Sequence, residues 1–292
     1  MEGHMKRNSI KILTAILALM LLFSGCINTQ KEEEEPTTSV DMNNVNPSFI
    51  GSYQTTQYQY LTNVDVSILT TNLDKTYLIL ANKTTPLGET YEPASLTTLT
   101  CATTKSMELE TRAAQALYAM LEEMTVAGVS DISVTSAYRS YSRQHEVYND
   151  WVIYETERIS EDAVRVFGIE YIKANYYNKK IYRLSFEDAQ TVAQSYSALP
   201  GQSEHQTGLC VDFITSGMGG QLTEAFEDTE AFEWLSKNAY KFGFILRYPK
   251  GKEGITGYTY EPWHYRFVGR EAATDIYNGG MTFEQYLQLT SN

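Results

Sequence analysis

The order of predicted elements along this 292-residue chain indicates an α+β fold. Apolar residues between Leu109 and Met124 recur at helical spacing, whereas residues 132–135 and 211–214 are short apolar runs typical of buried strands. Helices and strands are mixed without the regular alternation that produces a parallel α/β sheet, and no internal repeat is evident. We therefore predict a single α+β domain whose sheet packs against helices.

Residues 1–25 have the pattern of a secretory signal. A basic segment precedes an apolar run over residues 12–23, which is shorter than the ~20 residues of a membrane-spanning helix. The run ends in Ser24-Gly25-Cys26, which resembles a bacterial lipobox. We expect Cys26 to be lipidated and to anchor the protein to the cell membrane on its extracytoplasmic side. An ordinary signal peptide that ends near a cysteine is the alternative.

Residues 26–47 and 48–74 precede the main predicted domain, residues 75–292. The first segment has a run of glutamates followed by Pro36 and many Thr, Ser and Asn residues, which predicts a solvated tether. The second has a weak pattern, and we expect a small strand-containing extension that packs on the main domain. The formal net charge of −13 disfavours nucleic-acid binding, because phosphate contacts need a basic surface.

Apolar runs, and the residues that end helices and strands, predict the secondary structure of the first half of the main domain. Residues 77–80 are predicted to form a short strand. The first amphipathic helix stops at Gly128, and the strand at 132–135 follows it. A second helix is predicted after Ser142, and residues 155–182 are predicted to form a helical insertion.

The second half contains a similar mixture of elements. Ser185 and Thr282 each stand in a capping pattern and are predicted to begin helices. The other predicted elements are, in order, a strand at 211–214, a helix from Asp228 or Thr229 to Gly243, a strand at 244–248, a hairpin loop at 251–257 and a helix at 270–277.

Histidine is rare in this chain, and two histidines lie in its clearest motifs. His205 belongs to a Ser-x-His-x-x-Gly-x-x-x-Asp motif that ends at Asp212, and His264 belongs to a Glu-x-x-His motif that begins at Glu261. Two imidazoles and a carboxylate are a typical ligand set for a catalytic zinc that keeps a fourth position open for water. Glu261 is placed to act on that water as a general base. The sequence has no His-Glu-x-x-His motif of the common zinc proteases.

Together with Ser-Ala-Tyr-Arg-Ser-Tyr-x-x-Gln at residues 136–144, these motifs resemble the VanY-like D-alanyl-D-alanine carboxypeptidases. That family belongs to a zinc peptidase group that also contains D-Ala-D-Ala dipeptidases and LdcB-type L,D-carboxypeptidases. The resemblance runs from about Tyr77 to the C-terminus and includes Phe-Gly-Phe-Ile-Leu-Arg-Tyr-Pro at residues 242–249. Cys210 is a departure, since the family more often has alanine two residues before the Asp ligand.

The resemblance implies a zinc-peptidase domain with a central, mostly antiparallel sheet flanked by helices. It implies one zinc ion per chain, held by His205, Asp212 and His264. The implied reaction removes the terminal D-alanine from peptidoglycan stem peptides by Glu261-assisted attack of zinc-bound water. We expect the enzyme to act as a monomer.

The resemblance also implies roles for three further residues. Arg139 would stabilise the oxyanion that develops on the scissile carbonyl. Gln144 and Ser203 would contact the substrate, at its terminal residue or its carboxylate.

Several alternatives remain open at the level of sequence. The chain could be an L,D-carboxypeptidase or a peptidoglycan endopeptidase of the same fold. It could also be a noncatalytic cell-wall-binding lipoprotein, although a binding protein would have no need of Glu261. The serine mechanism of penicillin-binding proteins is disfavoured, because its set of motifs is missing. Cys101 and Cys210 could form a disulfide or remain as two thiols, with Cys210 packed in the core.

Overall fold

The computed structural model describes residues 40–291, so the predicted signal segment, Cys26 and the first part of the tether lie outside the described residues. Residues from Val40 onward belong to one compact unit. Helices surround two small antiparallel sheets in this unit, which confirms the predicted α+β fold. No helix within residues 40–291 is long and apolar enough to cross a membrane.

The central sheet has four antiparallel strands in the order β3-β4-β6-β5. They are β3 Ser133–Ser136, β4 Cys210–Ile214, β5 Phe244–Leu246 and β6 His264–Phe267. A separate small sheet pairs β1, Leu96–Thr98, with β2, Glu108–Glu110. The strands predicted near residues 132, 211 and 244 are therefore present, with small differences at their ends.

The helices within residues 40–291 largely follow the predicted order. They are α1 Thr111–Val126, α2 Tyr141–Thr156, α3 Glu161–Phe167, α4 Ile169–Asn175, α5 Phe186–Ala193, α6 Glu230–Asn238, α7 Glu253–Thr256, α8 Arg270–Gly279 and α9 Phe283–Thr290. Ser185, Thr229 and Thr282 begin α5, α6 and α9, because each side chain accepts a hydrogen bond from an otherwise unpaired N–H of the first turn.

A large apolar cluster joins α1 to the central sheet. Leu117 and Met120 of α1 belong to it, together with Val211 and Phe213 of β4 and Phe267 of β6. Complete burial of such a side chain contributes about 1.5–3 kcal/mol, so this cluster holds the sheet on α1. The predicted helical insertion packs with α2 and α5 around a second apolar cluster.

The prediction of a strand at residues 77–80 is wrong, because no neighbouring strand pairs with this segment. The carbonyl oxygens of Tyr77 and Ile79 instead accept hydrogen bonds from the guanidinium of Arg266, at 3.2 and 2.8 Å. The odd-numbered side chains of the segment pack on the main core, and the even-numbered ones pack on α8 and α9. The alternation that suggested a strand therefore reflects two separate apolar contacts.

Two other segments also differ from prediction. Residues 251–257 contain the short helix α7 instead of a hairpin loop. The segment 48–74 has 3-10 turns and no strand, because acidic side chains of helices bind its backbone N–H groups. Asp275 of α8 accepts hydrogen bonds from Gly51 and Tyr53. Through these contacts the segment packs on the main domain.

Candidate active site

The register of the central sheet brings Asp212 and His264 together. These two residues are direct partners in the antiparallel pair β4–β6, so their side chains leave the same face of the sheet. His205 comes from a 3-10 helix, Glu204–Thr207, that ends shortly before β4. All three side chains are almost completely buried. The fold thus assembles the three predicted metal ligands at one place.

The tight path from His205 to β4 depends on Gly208. Its φ angle of +66° is in the left-handed region, and a Cβ atom there would lie 2.9 Å from Cγ of Pro93. At the other end of the 3-10 helix, the hydroxyl of Ser203 accepts a hydrogen bond from the backbone N–H of His205. Ser203 is therefore a helix cap, and its predicted contact with the substrate stays a prediction.

A hydrogen bond orients His205 on the side away from Asp212, whereas His264 has only the more distant charge of Glu204 on that side. Nδ1 of His205 lies 2.7 Å from the carbonyl oxygen of Ala137, and Nε2 of the same ring lies 3.1 Å from Oδ2 of Asp212. His264 is turned the other way, with Nδ1 3.0 Å from Oδ1 of Asp212 and Nε2 3.9 Å from Oε2 of Glu204. Outer contacts of this kind commonly fix the tautomer of metal-binding histidines.

The donor atoms converge in a way that fits a metal ion. Oδ1 of Asp212 is buried and has no hydrogen-bond partner, although Nδ1 of His264 lies beside it. A carboxylate oxygen and two ring nitrogens that face one another without hydrogen bonds are suited to a shared cation. In addition, donor atoms of His205, Cys210 and His264 all lie within 4.8 Å of one another. The site therefore offers nitrogen, oxygen and sulfur donors.

Glu261 reaches the same site through a tight turn that precedes β6. The backbone N–H of His264 donates to the carbonyl oxygen of Glu261 at 3.1 Å and closes this turn. Oε2 of Glu261 lies 3.5 Å from Nδ1 of His264, on the side that faces Asp212. Burial raises the pKa of the Glu261 carboxyl to about 7, and the negative charge of Asp212 acts in the same direction.

Arg139 lies beside the imidazoles and lines an open cleft. Its backbone N–H donates to the carbonyl oxygen of His205 at 3.1 Å, and its Nε has no hydrogen-bond partner. Burial lowers the pKa of the guanidinium, whereas the carboxylates of Asp212 and Glu261 oppose this shift. The cleft has a volume of about 340 Å³, and Lys105 also lines it. Arg139 is thus close enough to the donor set for charge interactions.

Gln144 has only part of its hydrogen-bonding capacity satisfied. The side chain, on the buried side of α2, donates from Nε2 to the carbonyl oxygen of Ala198 at 2.6 Å. Its Oε1 is buried and has no partner. No hydrogen bond joins Gln144 to His205, Asp212 or His264, and its predicted role in substrate binding stays a prediction.

A network of buried charges lies behind His264. Oε1 of Glu204 contacts Nε of Arg247 at 2.8 Å and Nη1 of Arg266 at 3.0 Å. Glu284 of α9 binds the other side of Arg247 through both carboxylate oxygens. Burial alone would raise the pKa of Glu204, but the two guanidinium groups hold it well below its usual range. Glu204 therefore faces His264 as an anion.

The sequence analysis did not assign Cys210 or Glu204 to the site. Cys210 was expected in the core, but residues two apart on a strand share a face, so it lies on the same side of β4 as Asp212. That spacing could have revealed its position. Glu204 follows the capping residue of the motif, and no spacing rule indicates its contacts with Arg247 and Arg266. Cys101 and Cys210 are both free thiols.

Comparisons with known proteins agree with this site. The VanY family, described as D-alanyl-D-alanine carboxypeptidase, matches residues 106–270. The Bacillus subtilis protein YodJ is 32% identical over 265 residues, which are 89% of this chain and 84% of YodJ. A D-alanyl-D-alanine carboxypeptidase of Enterococcus faecalis is 34% identical over 72% of this chain and 65% of its own length.

Solved structures of such enzymes share the fold. VanYB in complex with D-alanine-D-alanine is 33% identical, with a TM-score of 0.55, and the match covers 74% of this chain and 99% of VanYB. The LdcB LD-carboxypeptidase is 34% identical, with a TM-score of 0.54, over 72% of this chain and 84% of LdcB. The fold and site define a carboxypeptidase. The chain belongs to the VanY family of D-alanyl-D-alanine carboxypeptidases.

Proposed function

We propose that this protein is a zinc-dependent carboxypeptidase that removes the terminal D-alanine from peptidoglycan stem peptides. The observation that carries the proposal is the convergence of Nε2 of His205, the Asp212 carboxylate and Nδ1 of His264, with Glu261 beside them. A VanY D,D-pentapeptidase of known structure, 33% identical to this chain, was solved in complex with Zn(II). This neighbour supports zinc as the ion that the donor set would hold.

In this proposal each site residue has a separate role in the reaction. His205, Asp212 and His264 would hold the zinc, which polarises a carbonyl and makes water more acidic when it is bound. Glu261 accepts the proton of the attacking water and returns it to the amine of the leaving D-alanine. Arg139 stabilises the negative charge that develops on the scissile carbonyl oxygen.

The cleft beside Arg139 supports a peptide with a free carboxylate as the substrate. Arg139, Arg143 and Lys105 line this cleft, and Glu108 is the acidic side chain on its wall. The lining of the cleft includes Arg139 but none of the three proposed zinc ligands. Its excess of cationic groups favours a negatively charged chain end. Removal of one residue from the C-terminal end of a stem peptide agrees with this arrangement.

L,D-carboxypeptidase activity is the second candidate. The fold is as similar to LdcB as it is to VanYB, so the fold does not separate the two specificities. Residues 1–25 and Cys26 support a lipid-anchored enzyme outside the cytoplasm, and the chain is proposed to act as a monomer. Loss of detergent partitioning in Cys26→Ala would test the anchor, and a wild-type protein found wholly in the aqueous phase would contradict it.

Digestion of defined stem peptides tests the proposal directly. Purified protein is incubated with a pentapeptide ending in D-Ala-D-Ala and with the tetrapeptide, and the products are identified by mass. We expect loss of one D-alanine from the pentapeptide, inhibition by a chelator and recovery when zinc is added. Cleavage of the tetrapeptide alone, after its L-residue, would shift the assignment to an L,D-carboxypeptidase. Full activity without any bound metal would contradict the zinc proposal.

A further inference from the structure

The environment of Cys210 differs from that of the residues on either side of it. Leu209, Val211 and Phe213 belong to the apolar core that joins β4 to α1. Cys210 is completely buried but does not belong to that cluster. Because alternate side chains of a strand point to opposite faces, Cys210 and Asp212 share the face that is turned away from the core.

The Cys210 sulfur lies close to the two imidazoles of the site. One donor atom from each of His205, Cys210 and His264 can be chosen so that all three lie within 4.8 Å of one another. A sulfur that served only to fill the core would have apolar neighbours. The position of Cys210 is therefore that of a donor atom in the cluster.

A second observation at this site also indicates a cation. Asp212 is only 4% exposed, and its Oδ1 is buried without a hydrogen-bond partner. This carboxylate approaches both imidazoles, at 3.1 and 3.0 Å. The thiol and this carboxylate thus approach the same two imidazoles, and the carboxylate has an oxygen without a hydrogen-bond partner.

We infer that Cys210 is a fourth protein donor to the metal ion in the substrate-free enzyme. The inference rests on the proposed zinc site and adds a sulfur to its two nitrogens and one oxygen. On binding, the thiol releases its proton to solvent and the sulfur binds the cation as a thiolate. Four protein donors are the number found in closed zinc sites, so the sulfur would have to leave the cation before water takes the fourth position for the reaction. A thiolate favours soft cations such as zinc over magnesium or calcium.

Cobalt substitution provides a readout that does not depend on activity. The probe is Co(II) added to the metal-free full-length protein, because cobalt bound to a thiolate shows an intense near-ultraviolet charge-transfer band. We expect this band in the wild type and in Cys101→Ala, which removes the other described thiol. We expect it to be absent from Cys210→Ala and Cys210→Ser. The serine variant preserves side-chain size if the alanine variant does not fold.

Zinc affinity is measured on the same four proteins by competition with a chromophoric chelator. The Cys210 variants should bind zinc at least ~10-fold more weakly than the wild type, since even outer contacts of a metal site contribute that much. The Cys101 variant should bind zinc as the wild type does.

The possible results separate the inference from the proposed function. If wild-type protein binds cobalt through its histidines without a charge-transfer band, Cys210 is not a donor and the zinc site stands. If the wild type binds neither cobalt nor zinc, the proposed zinc enzyme itself is overturned. If the band persists in Cys210→Ser and is lost in Cys101→Ala, the sulfur donor is the other cysteine and the inference is wrong.

Discussion

The buried charges behind the site lead to a quantitative prediction about stability. Arg247, Arg266, Glu204 and Glu284 form a neutral set of two cations and two anions, and their side chains are at most 3% exposed. Glu284→Gln keeps the size of the side chain but removes one negative charge. The remaining charges would then be unbalanced in a region that water does not reach.

The cost of this change follows from the desolvation of the unpaired charge. Breaking a buried ion pair by removal of one partner lowers the free energy of unfolding by about 3–5 kcal/mol. For a domain of this size, a loss of about 1 kcal/mol lowers Tm by roughly 2–4 °C. We therefore expect Tm to fall by roughly 6–20 °C in Glu284→Gln, measured by circular dichroism or calorimetry.

A double variant tests whether charge imbalance is the cause. In Arg247→Met with Glu284→Leu, the remaining Glu204–Arg266 pair is neutral, so most of the lost stability should return. Glu233→Gln is the matched control, because Glu233 forms an exposed pair with Lys237 on α6. This control should leave Tm unchanged. If Glu284→Gln lowers Tm no more than the control does, the buried charges do not contribute to stability in this way.

Three further changes test the site itself. Glu261→Gln should lower turnover by at least ~10²-fold while zinc and peptide binding survive; near-wild-type turnover would exclude Glu261 as the base. Arg139→Lys should lower kcat with little effect on zinc content, because lysine lacks the planar guanidinium; unchanged kcat would exclude a role in the transition state. Gly208→Ala should cost about 1–2 kcal/mol from its backbone angle, with further loss from the contact at Pro93. Gly217→Ala, where space is open, is its control and should be neutral.

Local signals in the sequence were sufficient for several parts of the protein. The periodicity of α1 and the capping residues Ser185, Thr229 and Thr282 act within a few residues of each other, so the sequence predicts these elements. The motif residues His205, Asp212 and His264 were recognisable in the same way. Their side chains are polar. His205 is close to Gly208, Asp212 lies in a predicted strand, and His264 follows the turn that begins at Glu261.

Other features depended on contacts between segments that are distant in sequence. The side chains of residues 77–80 alternate between two faces as in a strand. However, Arg266 donates hydrogen bonds to two of the carbonyl oxygens of this segment, and no strand pairs with it. The neighbours of Cys210 depend on the register of β4 against β6, which positions His264, and on the 3-10 helix that carries His205.

The fold class, the family resemblance and the candidate ligands could be predicted from the sequence, because these depend on residue type and short-range spacing. The packing of the folded chain sets which nitrogen of each imidazole faces Asp212, and it places the Glu204 carboxylate 3.9 Å from the other nitrogen of His264. It also decided that Cys210 belongs to the site and not to the core. The physical reason is that burial and ring orientation are set by strand pairing and by buried arginines far away in the chain.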